Sequence, residues 1–186
     1  MPDLTAERHV PLIAASPAVR ALPPATRLTL RGGPEVAAAA GRALGFSVPL
    51  APCRASGSGE RSALWLGPDE WLLLAPEGAG AELEAGLHDA LGALAHSLVD
   101  VSHRQTALEV HGAQAATLLA AGCPLDLDAA AFPVGMCTRT MLAKAEIVLW
   151  RTGTQEFRIE VWRSFAAYLS QFLAEAARGL NSGDFS

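Results

Sequence analysis

The sequence predicts an α+β domain built from two copies of one strand–helix–hairpin–helix unit. Residues 26–32 read T-R-L-T-L-R-G and residues 106–112 read T-A-L-E-V-H-G, and an Ala-rich stretch follows each of them. The chain is 51% apolar and 18% charged, so its 186 residues can bury the core that such a domain needs.

A hairpin pattern later in each half supports the repeat. A Leu-Trp pair precedes a turn opened by glycine, and glutamate, an aromatic residue and an apolar strand follow. The members are Leu64-Trp65, Gly67 and Glu70-Trp71 in the first half and Leu149-Trp150, Gly153 and Glu156-Phe157 in the second. The offset grows from 80 residues (32 to 112) to 85 or 86 at the hairpin, which indicates about six extra loop residues in the second half.

Periodicity and turn residues assign the elements of the first half. Polar residues alternate with leucines over 27–31, which is typical of a half-buried strand. Pro34 suits the first turn of a helix over 35–44, and Gly45 suits its C-terminal cap. The remaining elements are a Pro-, Gly- and Ser-rich loop over 48–60 with a short edge strand, a hairpin of strands 61–66 and 70–75, and a helix over 81–94.

The second half repeats this order. Strands over 98–101 and 105–111 precede a helix over 112–121 that Gly122 caps. A closing helix over 163–178 ends the half, with Ser164 as its N-cap. Its side chains predicted to face the sheet are Phe165, Tyr168, Leu169 and Phe172. Between the two helices lie an irregular segment or short helical turn over 123–132 and strands over 139–143, 146–151 and 156–161.

Two terminal segments flank the domain. Residues 1–24 contain five prolines, which exclude a long helix, so we expect an arm whose apolar side chains lie on this domain or on another subunit. Residues 25–180 form the domain, with halves at about 25–96 and 97–180, and residues 181–186 form a flexible tail.

Charge and cysteine usage narrow the class of protein. A net charge of −5 argues against nucleic-acid binding, which requires a basic surface. The apolar runs are too short to span a bilayer and the N-terminus lacks a signal-peptide pattern, so we expect a cytoplasmic protein. Cys53, Cys123 and Cys137 are widely spaced, which favours inert thiols in a reducing compartment.

The densest polar cluster is Asp100-Val-Ser102-His103-Arg104. Neighbouring side chains of an extended segment point to opposite faces, whereas a catalytic triad is assembled from separate elements. The chain also has no G-x-S-x-G motif. A structural turn or a subunit contact is therefore the prediction for Asp100, His103 and Arg104, and a hydrolase using Ser102 and His103 is the alternative.

No other motif predicts catalytic, cofactor-binding or metal-binding residues in this chain. The histidines form no H-x-x-x-H pair, and the glycines form neither G-x-G-x-x-G nor a P-loop. The tryptophans lie in predicted strands, which favours packing over ligand stacking for Trp71. Arg139 follows a loop onto a strand and is expected to pair with an acidic group or to face a partner.

Six motifs, in order, resemble the gamma subunit family of heterotetrameric sarcosine oxidase. The resemblance runs from about residue 8 to residue 178, and a wider one links the chain to the folate-binding fold of the glycine-cleavage aminomethyltransferase. The motifs are L-G-P-D-E-W-L-L-L, V-D-V-S-H-R, G-C-P-L-D-L, F-P-V-G-x-C-x-R-T, K-A-x-I-V-L-W-R and W-R-S-F-A-A-Y-L.

The resemblance implies duplicated ferredoxin-like units in a folate-binding aminomethyltransferase-like domain. It implies a complex that oxidatively demethylates sarcosine to glycine, with hydrogen peroxide formed and the one-carbon unit passed to tetrahydrofolate. FAD, FMN and NAD would belong to alpha and beta subunits and zinc to a delta subunit, and this chain would support assembly without catalytic residues. The alternative is a stand-alone folate-binding protein. Neither Cys123 nor Cys137 matches the K-G-C-[FY]-x-G-Q-E signature of the related iron–sulfur maintenance proteins.

Overall fold

A computed structural model describes residues 18–182, which form ten strands and four helices in two antiparallel sheets. Of the predicted N-terminal arm, residues 1–17 lie outside the described residues. The last four residues of the predicted tail, 183–186, lie outside them as well. Within the described range, the mixed α and β composition agrees with the predicted class.

The first sheet is formed by five strands. In sequence order they are β2 (Ala25–Gly32), β3 (Ala55–Ser58), β4 (Arg61–Gly67), β5 (Glu70–Pro76) and β6 (His96–Asp100), with helix α1 (Pro34–Leu44) after β2 and helix α2 (Gly80–Leu91) after β5. Their order across the sheet is β3-β4-β5-β2-β6.

The second sheet has the same arrangement. Its elements are β1 (Val19–Ala21), β7 (Gln105–His111), β8 (Cys137–Leu142), β9 (Ala145–Gly153) and β10 (Glu156–Trp162), with helix α3 (Ala115–Ala120) after β7 and helix α4 (Arg163–Ser182) after β10. The order across the sheet is β8-β9-β10-β7-β1. In each sheet a β-hairpin lies beside the opening strand of the unit, β2 in the first and β7 in the second. On the other side of the opening strand lies an edge strand, β6 in the first sheet and β1 in the second.

The described chain divides into two compact units. The first unit contains residues 24–103 and 135–138, and the second contains residues 18–23, 104–134 and 139–182. The predicted halves met between residues 96 and 97, whereas residues 97–103 and 135–138 belong to the first unit. Strand β6, which spans the predicted boundary, pairs with β2. The short strand β1, inside the predicted arm, pairs with β7.

Backbone register corrects the alignment of the two hairpins. Trp65 of β4 lies opposite Trp71 of β5, and Arg151 of β9 lies opposite Phe157 of β10. Arg151 is therefore the counterpart of Trp65, and the predicted alignment of Trp65 with Trp150 was wrong by one residue. The match of residue types was misleading because register is decided by hydrogen bonds between strands, and one residue of slip moves a side chain to the other face.

The core of the first unit lies between its sheet and its two helices. The Ala-rich α1 begins at Pro34, and its cap Gly45 has φ +82° and donates its N–H to the Gly41 carbonyl. Helix α2 turns its leucines inward and ends at Leu91, three residues before the predicted end. Inward side chains from the sheet and both helices are Leu28, Leu30, Val36, Ala40, Trp71, Leu73, Leu83, Leu87 and Leu91.

Helix α3 is shorter than predicted because its first predicted residues complete a turn. Gly112 has φ +104° and donates its N–H to the Gln155 carbonyl, 3.0 Å away, so it still belongs to the end of β7. The equivalent bond in the first unit runs from Gly32 to the Asp69 carbonyl, also at 3.0 Å. A longer loop then leads from α3 to β8.

The prediction for the inward face of α4 was partly wrong. Leu169 is buried as predicted and Phe172 is half-buried, but Phe165 and Tyr168 are exposed. The helix carries two apolar stripes at helical spacing, and the stripe with smaller side chains faces the protein interior. Its buried members are Ala166, Leu169, Leu173, Ala174 and Ala177.

Candidate functional site

An aromatic surface lies where β10 runs into α4, and it consists of Trp162, Phe165 and Tyr168. Their exposed fractions are 45%, 38% and 38%. Three-residue spacing places the two helical members one turn apart on one side of α4. Single exposed apolar residues are common on protein surfaces, but three large aromatic side chains within seven residues are typical of a contact surface.

An arginine covers part of this aromatic surface. The Arg104 guanidinium carbon lies 5.3 Å from the centre of the Trp162 ring, a cation–π distance. The Arg104 carbonyl accepts a hydrogen bond from the Arg163 amide at 2.9 Å, which fastens the segment before β7 to the start of α4. Tryptophan, tyrosine and arginine are the residue types that contribute most to binding energy at protein interfaces.

The polar cluster before Arg104 forms a turn at the end of β6. Asp100 Oδ1 accepts a hydrogen bond from the Ser102 amide at 2.7 Å. The buried Ser102 hydroxyl accepts from the Arg27 amide at 2.8 Å and lies 3.4 Å from the Arg27 carbonyl. The Asp100 carboxylate is thus directed at a backbone amide and the Ser102 hydroxyl at the backbone of β2. This geometry is that of an Asx turn and gives the hydrolase alternative no support.

His103 lies in this turn, whereas Arg139 and Trp71 belong to other elements. His103 and Arg139 are exposed, Arg139 on β8, and each takes part in a polar or electrostatic interaction. Trp71 is fully buried in the core of the first unit, and its indole Nε1 donates to the Pro49 carbonyl at 2.6 Å. Asp100 and His103 are thus neighbours at one turn of the first unit, and Trp71 lies in the core of the same unit.

A polar cavity of about 400 Å³ lies in the second unit, where β1, β7 and β10 meet. Arg20 Nε lies 2.8 Å from Glu109 Oε1, and this bond raises the pKa of Arg20. Glu156 adds a second carboxylate to the lining, so two carboxylates face the single guanidinium of Arg20 in this cavity. An acidic cavity disfavours the anionic glutamyl tail of folates.

No group of three or more His, Cys, Asp or Glu side chains is arranged to hold a metal ion within residues 18–182. None of the helices in the described part of the chain combines the length and apolarity needed to cross a membrane.

Sequence reasoning missed the aromatic surface, although a signal for it exists. It placed Phe165 and Tyr168 against the sheet because they share helical spacing with Phe172. The second stripe, beginning at Ala166 and Leu169, has the same spacing in the same helix. A helix with two apolar stripes buries one against its own domain, and the other is available to a partner.

Comparisons with known proteins agree with one family. Residues 31–179 match the model of the Sarcosine oxidase, gamma subunit family. The chain is 41% identical over 140 residues to the sarcosine oxidase subunit gamma of Corynebacterium sp. (strain P-1), covering 75% of this chain and 68% of that protein. It is 37% identical over 155 residues to the subunit of the same name from Arthrobacter sp., covering 82% of this chain and 75% of that one.

Solved structures give the same result at the level of the fold. A chain of the heterotetrameric sarcosine oxidase from Corynebacterium sp. U-96, solved in complex with pyrrole 2-carboxylate, matches with a TM-score of 0.83 at 33% identity, covering 90% of this chain and 87% of that one. The glycine cleavage system aminomethyltransferase T from Bartonella henselae matches with a TM-score of 0.63 at 16% identity, covering 86% of this chain and 48% of that one. The second match shows an aminomethyltransferase-like fold.

Proposed function

The chain belongs to the sarcosine oxidase gamma subunit family, and we propose that it is a non-catalytic subunit that supports assembly of a flavin-dependent heterotetrameric sarcosine oxidase. Its partners are the alpha, beta and delta subunits of that enzyme. The complex oxidatively demethylates sarcosine to glycine in the cytoplasm, as part of sarcosine catabolism and one-carbon metabolism. The alpha and beta subunits bind FAD, FMN and NAD, the delta subunit binds zinc, and the complex uses tetrahydrofolate.

The observation that carries this proposal is the aromatic surface. Trp162, Phe165 and Tyr168 expose large apolar area to solvent in the isolated chain. Burying such area against a partner gains about 25 cal/mol for each Å² removed from water. Arg104 over the Trp162 ring adds a fixed positive group at the rim. A larger subunit that presents an apolar depression with an acidic edge fits this surface.

The repeated topology supports a finer description of the fold. In each unit a hairpin lies beside the opening strand, and helices follow the opening strand and the hairpin. We propose that both units are ferredoxin-like and that they arose by duplication. The 80-residue offset at the opening strands and the 86-residue offset between Gly67 and Gly153 are consistent with a duplication followed by one insertion.

Assembly is tested by co-expressing the tagged chain with the other three subunits of the complex. Affinity purification should recover larger chains with flavin absorbance and sarcosine-dependent peroxide formation. The double variant Trp162→Ala/Tyr168→Ala should lose most of the co-purifying flavoprotein, because aromatic interface residues contribute about 2–4 kcal/mol each. Circular dichroism of the variant should match that of the unmodified chain.

A matched control uses exposed apolar residues outside the aromatic surface. Leu50 and Val134 are 55% and 52% exposed, so Leu50→Ala/Val134→Ala removes apolar surface without touching the aromatic group. This variant should assemble normally. Equal recovery of flavoprotein by both double variants would reject the aromatic surface as the interface. A colourless, lone chain from the unmodified protein would reject the subunit role.

The folate-binding alternative rests on likeness of fold alone. Calorimetry of the isolated chain with tetrahydrofolate tests it directly. The subunit proposal predicts no heat of binding at millimolar ligand, whereas saturable heat would favour the alternative.

A further inference from the structure

Two cysteines of the first unit lie beside each other at a short antiparallel bridge. Arg54 and Met136 form an isolated antiparallel bridge. On one side of it the Ala55 amide donates to the Gly135 carbonyl at 2.8 Å, and on the other the Cys137 amide donates to the Cys53 carbonyl at 3.0 Å. This second bond places Cys137 beside Cys53, which lies in the turn that leads into the bridge.

This register places the two thiols within reach of each other. The single hydrogen bond from the Cys137 amide to the Cys53 carbonyl holds the two Cα atoms roughly 5–7 Å apart, which overlaps the range of about 4.4–6.8 Å that a disulfide spans. Burial raises the pKa of Cys137 to about 12, and its hydrogen bond to the Trp65 carbonyl opposes that shift only in part.

The two thiols differ in access to solvent. Cys53 is partly exposed and lies in the loop after α1 with φ +58°, whereas Cys137 is fully buried at the start of β8. The Cys137 Sγ donates to the Trp65 carbonyl at 3.6 Å. An oxidant in solution therefore meets Cys53 first, and Cys137 lies behind it as a resolving thiol.

We propose that Cys53 and Cys137 form a redox pair that closes to a disulfide when a hydroperoxide oxidises Cys53. The Cys53 thiolate attacks one peroxide oxygen, the O–O bond breaks, and a sulfenic acid and water form after one proton is taken up. The Cys137 thiolate then attacks the Cys53 sulfur, the S–O bond breaks, and the leaving hydroxide takes the proton that Cys137 gave up. Two thiols and one hydrogen peroxide thus yield one disulfide and two waters.

The disulfide ties the loop after α1 to the segment 135–138 within the first unit. Because the bond joins Cys53 to Cys137, it closes a long loop of the chain and reduces the conformational entropy of the unfolded state. Oxidation should therefore raise Tm by on the order of 10 °C. Oxidation also removes the hydrogen bond from the Cys137 thiol to the Trp65 carbonyl, so the fluorescence of the half-buried Trp65 should change.

The third cysteine is a matched control. Cys123 is buried and belongs to the second unit, in the loop after α3. Cys123→Ser should leave the oxidation unchanged. Cys53→Ser should abolish it, and Cys137→Ser should stop it at the sulfenic acid.

The experiment treats the full-length chain with one equivalent of hydrogen peroxide and follows it by intact mass and thiol titration. We expect the mass to fall by about two units and the free thiols to fall from three to one, with Cys53 and Cys137 in one cross-linked peptide. In Cys137→Ser, dimedone should label Cys53. If Cys137→Ser fails to fold, the test uses Cys53→Ser, which is altered at a partly exposed position and should form no disulfide.

The rate at which the disulfide closes should depend on pH. The pKa of Cys137 is raised, so its thiolate is scarce at neutral pH, and the closing step should accelerate about tenfold for each pH unit between 7 and 9. Any one of four results would overturn the proposal. They are three thiols remaining after treatment, a disulfide that includes Cys123, a disulfide between two chains, and disulfide closure in Cys53→Ser.

Discussion

The two units fasten the loop after their first helix by different chemistry. In the first unit the indole of Trp71, on β5, donates one hydrogen bond to the Pro49 carbonyl. In the second unit the guanidinium of Arg151, on β9, donates to the Leu127 and Phe132 carbonyls at 3.2 and 2.9 Å. The donor has moved from one strand of the hairpin to the other, although the backbone topology is the same.

Loop length explains why the second unit needs the stronger donor. Ten residues separate α1 from β3, whereas sixteen separate α3 from β8. A longer loop has more carbonyls to satisfy beneath the surface, and a guanidinium offers five N–H donors where an indole offers one. Arg151 also bonds to the Gly153 and Thr154 carbonyls and lies 5.0 Å from the centre of the Phe157 ring. The same backbone topology can thus hold its loop with an aromatic donor on one hairpin strand or with a buried cation on the other.

The largest expected effect comes from removing the donor of the first unit. Trp71→Ala should lower the free energy of unfolding by about 3–5 kcal/mol, because a fully buried indole leaves a cavity. Trp71→Phe keeps most of the ring but loses the bond to Pro49, and should cost about 1–2 kcal/mol. Urea denaturation followed by circular dichroism measures both. Equal losses in the two variants would show that the hydrogen bond, and not packing, holds this loop.

Removing the donor of the second unit should cost slightly less. Arg151→Met preserves the apolar stem but leaves the buried Leu127 and Phe132 carbonyls without their donor, at about 2–4 kcal/mol in total. Arg151→Lys retains the charge without the planar fork and should be intermediate. Limited proteolysis within residues 121–136 should increase in both variants. Unchanged proteolysis with lowered stability would contradict the role of Arg151 in holding this loop.

The helix ends provide a third contrast between the units. A Cβ at Gly122 would lie 2.7 Å from Phe172 Cζ and 3.0 Å from the Ala143 amide nitrogen, so Gly122→Ala should cost about 1–3 kcal/mol through overpacking. Gly45 has open space around it but φ +82°, so Gly45→Ala should cost about 1 kcal/mol through backbone strain. Differential scanning calorimetry compares them. A second change, Phe172→Leu, should relieve the first cost and not the second.

The smallest effect is expected at an exposed ion pair. Arg31 and Asp69 form a contact of 3.0 Å with both side chains about half exposed, so Arg31→Ala should change stability by about 0.5 kcal/mol or less. Glu160, fully buried on β10, lies 2.7 Å from Arg158, and Glu160→Ala should cost several times more. Equal losses would show that burial does not distinguish the two pairs.

The amino-acid pattern was sufficient to predict most of the elements. The alternation in residues 26–32 and 106–112 predicted strands at the right places, although β2 buries Thr26 and Arg27 as well as its leucines and is therefore not half-buried as predicted. Pro34 and Gly45 mark the ends of α1 because one is suited to the first helical turn and the other to a left-handed cap. These signals are local, and for this reason they can be read without knowledge of the fold.

Tertiary structure decided what depends on residues distant in sequence. The pairing of β6 with β2 and of β1 with β7 sets the limits of the two units, and the register of β9 on β10 identifies Arg151 as the counterpart of Trp65. Packing also selected which stripe of α4 is buried, because either stripe satisfies helical periodicity. The aromatic surface and the pairing of Cys53 with Cys137 both arise in this way: each depends on a face or a register that long-range hydrogen bonds and core packing select, and local sequence does not encode that choice.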